Sequence, residues 1–149
     1  MSYAELCVTS NFTFLTGASH AEELVARAKE LGLAAIAITD RNTFAGIVRA
    51  HAAAKEIGLR FIVGVRLALT DAPDILAYPK TRAGYANLCR LLTTGKRRTE
   101  KGKCEIGLAD VIEWGGDCVF VVIGGGDGDD LDHRRLHDAD DDQHDGDHD

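Results

Sequence analysis

Two short segments hold the residues whose types and placement could do chemistry, and both fall where a strand should give way to a loop. The first is Leu6-Cys7-Val8-Thr9-Ser10, followed by Asn11-Phe12-Thr13-Phe14-Leu15-Thr16-Gly17-Ala18. The second is Ala37-Ile38-Thr39-Asp40-Arg41-Asn42. In a repeating β/α chain, side chains at the C-terminal tips of strands line the active-site rim. A thiolate at Cys7 is a good zinc ligand. The alternative for Cys7 is a small buried residue. Asp40 has two readings: an ionic partner for Arg41 or Arg66, or the cap of a helix opening near Thr43. His20, in the first turn of a helix, and His51, among helical alanines, lack a nucleophile partner and read as structural or surface residues. Between Lys96 and Lys103 lie five bases, Lys96, Arg97, Arg98, Lys101 and Lys103. Such a loop can hold nucleic-acid phosphates or simply be solvated. Glu100 dilutes it, and no interleaved aromatic offers base stacking.

These residues need strands and helices to position them. Tyr3–Thr9 alternates and reads as a strand. Ser19-x-x-Glu22 is a capping-box pattern before Leu24, Val25, Ala28 and Leu31, which share one helical face up to Gly32. The apolar run Leu33–Thr39 fits a buried parallel strand. A second helix is expected from Thr43 to Ile57, with Phe44, Ile47 and Val48 inward. Arg60–Leu69 reads as a third strand. Ile75–Tyr78 follows as a fourth, after the Asp71-Ala72-Pro73-Asp74 turn. Thr81–Thr94 is a third helix stopped by Gly95, Leu108–Trp114 a short helix and Cys118–Ile123 a last strand. Strands alternating with helices argue for a parallel α/β architecture. A closed parallel barrel takes about 250 residues, so this body matches the first half of one, ending after a fifth strand.

The chain has 149 residues and a formal charge of −7, but that charge is unevenly placed. Of 24 acids and 17 bases, residues 127–149 hold eleven Asp and two Arg, leaving thirteen acids and fifteen bases in residues 1–126. The sequence changes character at Gly124-Gly125-Gly126. Beyond it Leu131 and Leu136 are the only sizeable apolar residues, too few to offset the entropy of ordering. A disordered Asp/His-rich tail is expected, and its abrupt start suggests an out-of-frame or recombined C-terminus. His133, His137, His144 and His148 would give that tail weak, unspecific affinity for divalent metals, without the supporting contacts of a defined site. Cys7, Cys89, Cys104 and Cys118 form no CxxC pair, and no signal peptide precedes the first strand. A reduced cytoplasmic protein with mostly buried thiols is expected. The apolar run Cys118–Ile123 is too short to cross a bilayer.

Several segments carry a more specific signal. They are Glu5-Leu6-Cys7-Val8-Thr9-Ser10-Asn11-Phe12, Gly17-Ala18-Ser19-His20, Ala37–Asn42, Val48-Arg49-Ala50-His51, Ile62-Val63-Gly64-Val65-Arg66 and Leu91–Gly102. Together, residues 3–123 resemble the N-terminal PHP domain of error-prone bacterial C-family DNA polymerases, the branch related to the polymerase III alpha subunit. The resemblance implies a partial β/α barrel of the PHP type over residues 1–126. It also implies a metal site for phosphoester hydrolysis, built from many His and carboxylate ligands that activate water. The corresponding positions here are Cys7, Thr9, Thr16, Arg41 and Arg66. None carries the family ligand, only the adjoining Asp40 persists, and the family's later ligands are expected beyond this chain.

The expectation is therefore a truncated PHP portion of an error-prone DNA polymerase, a scaffold against the rest of the enzyme, with no catalytic residue and no cofactor of its own. The family's polymerase module uses Mg2+ held by aspartates in a separate palm region. Its partners would be DNA and the remainder of the polymerase chain, with no membrane. Two alternatives are a stand-alone PHP-type phosphoesterase, which the missing ligands disfavour, and a metal-binding protein acting through its Asp/His tail.

Overall fold

The computed structural model describes residues 2–124. The tail expected to be disordered, with its four histidines, lies outside the described residues. Three parallel strands, β1 (Ala4–Val8), β2 (Ala35–Ile38) and β3 (Arg60–Val63), form one sheet in the order β1-β2-β3. The helices α1 (Ala21–Glu30) and α2 (Ile47–Ile57) connect them. A second sheet contains β4 (Val65–Leu67), β5 (Ile75–Pro79) and β6 (Cys118–Val122), with α3 (Arg82–Arg97) and α4 (Leu108–Trp114) between the last two. The sheets join where Arg41, just past β2, pairs in parallel with Arg66 of β4.

Each sheet has its own core. Ala21, Val25 and Ala28 of α1 meet Ile36 and Ile38 of β2 and Ile47, Ala50 and Ala54 of α2. The other core collects Val65, Leu67, Leu88, Leu91 and Ile106, all fully buried. Burying one such aliphatic side chain contributes roughly 1.5–3 kcal/mol, so these few positions carry much of the stability. The all-buried Ala35–Ile38 explains the uninterrupted apolar run, since a central parallel strand is covered on both faces.

The structure is α/β, as the pattern predicts, but it is not parallel throughout. The expected third strand divides at Gly64 into β3 and β4, and β4, β5 and β6 are antiparallel neighbours. Only residues 68–74 link β4 to β5, whereas a parallel return takes a crossover of a dozen residues or more.

Helix boundaries shift for local reasons. The capping box lies one residue later than expected: the His20 amide donates to Glu23 at 2.9 Å. The second helix opens at Ile47, not Thr43. Residues 40–42 continue the line of β2, with Arg66 N–H on the Asp40 carbonyl at 3.0 Å and Asn42 N–H on the Arg66 carbonyl at 2.8 Å. That pairing delays the helix and sets its phase. Ile47, Ala50 and Ala54 point inward, and Val48, expected inward, is 74% exposed. Gly95 does not stop α3, which runs on to Arg97. A Cβ there would sit 2.6 Å from Ile106 Cγ1, so Gly95 permits a close approach between α3 and the following loop. The cysteines are also less buried than expected. Cys7 is exposed on the edge strand β1, and the other three are half-buried.

Candidate functional site

Parallel strands bring their C-terminal ends side by side. Val8 of β1 pairs with Ile38 of β2, so residues two positions further on, Ser10 and Asp40, face one another. Asp40 is 1% exposed, and both oxygens of its carboxylate accept hydrogen bonds. The Ser10 amide donates to Oδ1 at 2.7 Å, the Ser10 hydroxyl to Oδ2 at 2.6 Å, and the Thr13 hydroxyl to Oδ1 at 2.8 Å. In turn Thr13 Oγ1 accepts the Arg41 amide at 3.0 Å, and Ser10 Oγ accepts the Phe12 amide at 3.2 Å. Charge-assisted bonds of this kind are short and strong, and here they tie the loop after β1 to the tip of β2.

Asp40 therefore neither caps α2, whose N-cap is Gly46, nor forms an ion pair with Arg41 or Arg66. Arg66 turns instead to Asp74, with Nε 2.8 Å from Oδ2. The same loop is fixed at its far end by Gly17, where any Cβ would collide with the Ser10 carbonyl. Between these anchors Phe14 and Leu15 are 84% and 91% exposed, and Leu15 has a left-handed φ of 64°.

The remaining positions implied by the resemblance surround this latch without forming a ligand set. Cys7 is exposed, and its sulfur accepts the Thr39 hydroxyl at 3.7 Å. Thr9 is half-buried, while Thr16 and Arg41 are exposed. Among the described residues, no three His, Cys, Asp or Glu side chains gather as a metal-holding group. The donor chemistry does not fit a multinuclear metal centre: two positions carry guanidinium groups, and the one buried carboxylate among the described residues already accepts three bonds from hydroxyl and amide donors.

Two aromatic groups brace the surroundings. Tyr78 donates its hydroxyl to the Leu6 carbonyl at 2.6 Å, clamping β5 to β1. Burial, aided by nearby Cys7 and Glu5, pushes its phenol up to about 12. Phe44 tilts against Tyr85 with ring centroids 4.9 Å apart. His20 contacts Asn11 through Nδ1 at 3.0 Å, and His51 meets the Phe61 ring edge-on at 6.5 Å.

The basic segment lies at the end of α3. Lys96 and Arg97 occupy its last turn, and Lys101 and Lys103 are exposed in the following loop. Arg98 is engaged by Asp110 through two bonds of 2.6 and 2.8 Å. That guanidinium, with the Gly107 amide, lowers the Asp110 carboxyl to about 2.

Sequence reasoning missed Ser10 and Thr13. A signal was present: Ser10 follows the end of the first strand by the same offset at which Asp40 follows the second, and parallel neighbours bring such offsets together.

Comparison with known proteins supplies the remaining observations. The family model for the PHP domain matches residues 5–115. An error-prone DNA polymerase 1 from Rhizobium meliloti is 51% identical over 124 residues, covering 83% of this chain and 11% of that protein. An error-prone DNA polymerase from Rhodopirellula baltica is 51% identical over 113 residues, covering 76% and 10%. The matched region is the N-terminal one, and the chain spans about a tenth of the length of these curated relatives. Among solved structures, a protein described as a metal-dependent phosphoesterase from Bifidobacterium adolescentis superposes with a TM-score of 0.55 at 24% identity, over 64% of this chain and 34% of that one. An amidohydrolase from Chromobacterium violaceum gives the same values. At that identity the likeness concerns the fold.

Proposed function

The chain belongs to the PHP domain family, and from that premise we propose that it serves as the N-terminal PHP portion of an error-prone DNA polymerase, acting as a scaffold and not as a phosphoesterase. The observation that supports the reading is the chemistry of the ligand positions: Cys7, Thr9, Thr16, Arg41 and Arg66 supply no metal-holding group among the described residues. Beside them the rim presents a hydrogen-bonded latch between two strand tips. DNA synthesis in repair and damage tolerance, with Mg2+ as its metal, then belongs to residues outside 2–124. The rest of a polymerase chain and DNA are the partners, and the cytoplasm is the setting. The described residues contain no helix long and apolar enough to cross a membrane.

Lys96, Arg97, Lys101 and Lys103 are the exposed bases through which this portion would approach DNA phosphates. Arg98 contributes less, because Asp110 already neutralises it. The likeness to a solved structure described as a phosphoesterase favours the fold of a stand-alone hydrolase. The ligand positions, with Arg41 and Arg66 among them, disfavour its chemistry.

A chimaera tests the proposal. Residues 2–124 would replace the matching segment of the Rhizobium meliloti relative, and primer extension on a damaged template would be measured beside phosphodiester hydrolysis with Mn2+ or Zn2+. Extension close to that of the parent, with hydrolysis at background, is expected. A folded chimaera that cannot extend primers, or hydrolysis well above background, would overturn the reading.

A further inference from the structure

The loop after β1 turns its apolar residues outward on a braced frame. Thr13 N–H bonds to the Ser10 carbonyl at 3.1 Å, and the Thr13 carbonyl accepts the amides of Thr16 at 3.3 Å and Gly17 at 3.1 Å. Asn11 N–H closes the base of the loop on the Ser19 carbonyl at 2.9 Å. Together with the Asp40 latch, these bonds hold Phe14 and Leu15 at the tip. Among the described residues no large apolar side chain is more exposed than these two. Leu15 also keeps a left-handed backbone, which a residue with a Cβ adopts only at a cost. Strain of this kind collects at ligand clamps and switch segments.

Charge decides what this tip would meet. Thr13 Oγ1 holds the Arg41 amide, so one hydrogen bond and one peptide link separate Arg41 from Phe14. Arg41 is exposed and makes no ion pair among the described residues. From Cys7 to His20 no residue is acidic. Of the acids that follow, Glu23 accepts the His20 amide and Glu22 lies 3.8 Å from Arg49. An apolar socket on another protein would take Phe14 and Leu15 but strip water from Arg41 without replacing it. A phosphodiester strand satisfies both. We propose that this loop binds single-stranded nucleic acid, with an unpaired base stacked on the Phe14 ring, Leu15 packed at the edge of that base, and the adjoining phosphate on Arg41. Stacking on an aromatic ring accepts any base, and the guanidinium fork pairs with phosphate oxygens. Within a duplex the base faces are hidden in the stack, so the loop selects an unpaired strand. The basic residues at the end of α3 have no such ring among them. The inference concerns binding by this chain itself and stands or falls independently of the polymerase reading.

Fluorescence anisotropy on the full chain tests this, with a labelled dT strand of about 16 nucleotides as the probe. Stacking of one base on an aromatic side chain corresponds to about fivefold or more in affinity. Phe14→Ala should therefore weaken strand binding by at least that factor while leaving its salt dependence unchanged. Phe14→Trp should retain binding and Phe14→Leu should not, because only a ring face stacks. Arg41→Ala should make the fall of log affinity with log salt shallower by about 0.7, the share of one phosphate contact on a single strand. The same strand annealed to its complement should bind the parent and Phe14→Ala alike. Equal strand affinity in the parent, Phe14→Ala and Phe14→Leu would overturn the inference, as would no binding by the parent or an unchanged salt slope in Arg41→Ala. Phosphatidylserine vesicles supply the last arm. Vesicle binding that depends on Phe14, where strand binding does not, would assign the tip to a lipid surface and overturn the inference as well.

Discussion

Asp40 and Ser10 lie thirty residues apart in sequence and are joined twice, through the Ser10 amide at 2.7 Å and its hydroxyl at 2.6 Å. The pairing converts a strand tip that could present a ligand into a structural lock. Asp40→Ala would leave two hydroxyl donors and an amide without their buried acceptor. Hydrogen bonds to a charged group contribute about 1.5–3 kcal/mol each and are not additive. A loss of about 3 kcal/mol is expected, read as a lower denaturant midpoint with an unchanged slope. Ser10→Ala should cost less, because its amide remains. A double-mutant cycle giving no coupling between the two positions would contradict the lock.

The absence of an open ligand leads to a metal prediction. Cys7→His, Thr9→His and Arg41→His introduced together should not produce stoichiometric zinc or manganese binding. Asp40 remains committed to Ser10 and Thr13, and the Arg66 cation remains at the rim. Elemental analysis of the dialysed triple variant checks this, with the tail carboxylates counted by analysing the unsubstituted chain in parallel. A near-integer gain in bound metal would show that the rim is a dormant site and not a latch.

What the sequence made legible, and what it did not, follows from the range of the forces. Amphipathic stripes and the buried run of β2 depend on neighbours along the chain, so Ala21–Glu30 and Ala35–Ile38 were visible within a residue or two. The division at Gly64, the outward turn of Val48 and the continuation of α3 through Gly95 depend on contacts with distant segments: the Asp40–Arg66 pairing and the Ile106 loop. The same is true of Asp40. Its type and its position at a strand tip were clear from the sequence. Its partners were not, because short hydroxyl side chains at Ser10 and Thr13 resemble ordinary loop residues.

Two titrations give opposite pH signatures. Asp110, held at about 2 by Arg98 and the Gly107 amide, lies below its ordinary 3.8. A depressed carboxyl stabilises the fold above the unfolded value, and that contribution is lost as pH falls from about 4 toward about 2. Arg98→Ala should therefore be less stable than the parent above about pH 4, with the difference closing at lower pH. Tyr78 is raised from 10.0 to about 12, chiefly by burial. Its contribution is complete below pH 10 and lost as pH rises through about 12. Tyr3 and Tyr85 are also raised above 10.0, so phenolate absorbance should lose only its component near pH 12 in Tyr78→Phe while the other two continue to titrate. A late step that persists in the variant would place the burial elsewhere.

Gly95 gives a packing test. Its absent side chain lets Ile106 Cγ1, Cys104 Sγ and the Glu105 carbonyl approach within 2.6–2.9 Å of where a Cβ would sit. Alanine is the better helix former by roughly 1 kcal/mol, so propensity alone predicts stabilisation by Gly95→Ala. The backbone oxygen of Glu105 cannot rotate away, because the Glu105 N–H donates to the Gly95 carbonyl at 3.0 Å and holds that peptide near. Overpacking of this kind costs about 1–3 kcal/mol. A net loss of stability is expected, and a measured gain would show that the loop yields freely.

The last strand governs behaviour in solution. Among the described residues β6 pairs with β5 along one side only, and Val119, Phe120, Val121 and Val122 are 49%, 37%, 46% and 67% exposed. Successive side chains of a strand point to opposite faces, so apolar groups are open on both faces of β6, beside backbone donors and acceptors that no described strand pairs. Such an edge templates pairing with another chain, and here it is apolar and uncharged over four residues. The full chain should therefore self-associate with rising concentration. Val122→Lys places a charge at the most exposed of the four positions, the means by which natural edges block pairing. It should reduce the association seen by sedimentation velocity while leaving the unfolding midpoint nearly unchanged, because Val122 contributes little buried area. High salt should restore part of the association by screening the lysine. Identical sedimentation of the two proteins across a wide concentration range would mean that β6 is protected, and its exposure would then have no consequence for assembly.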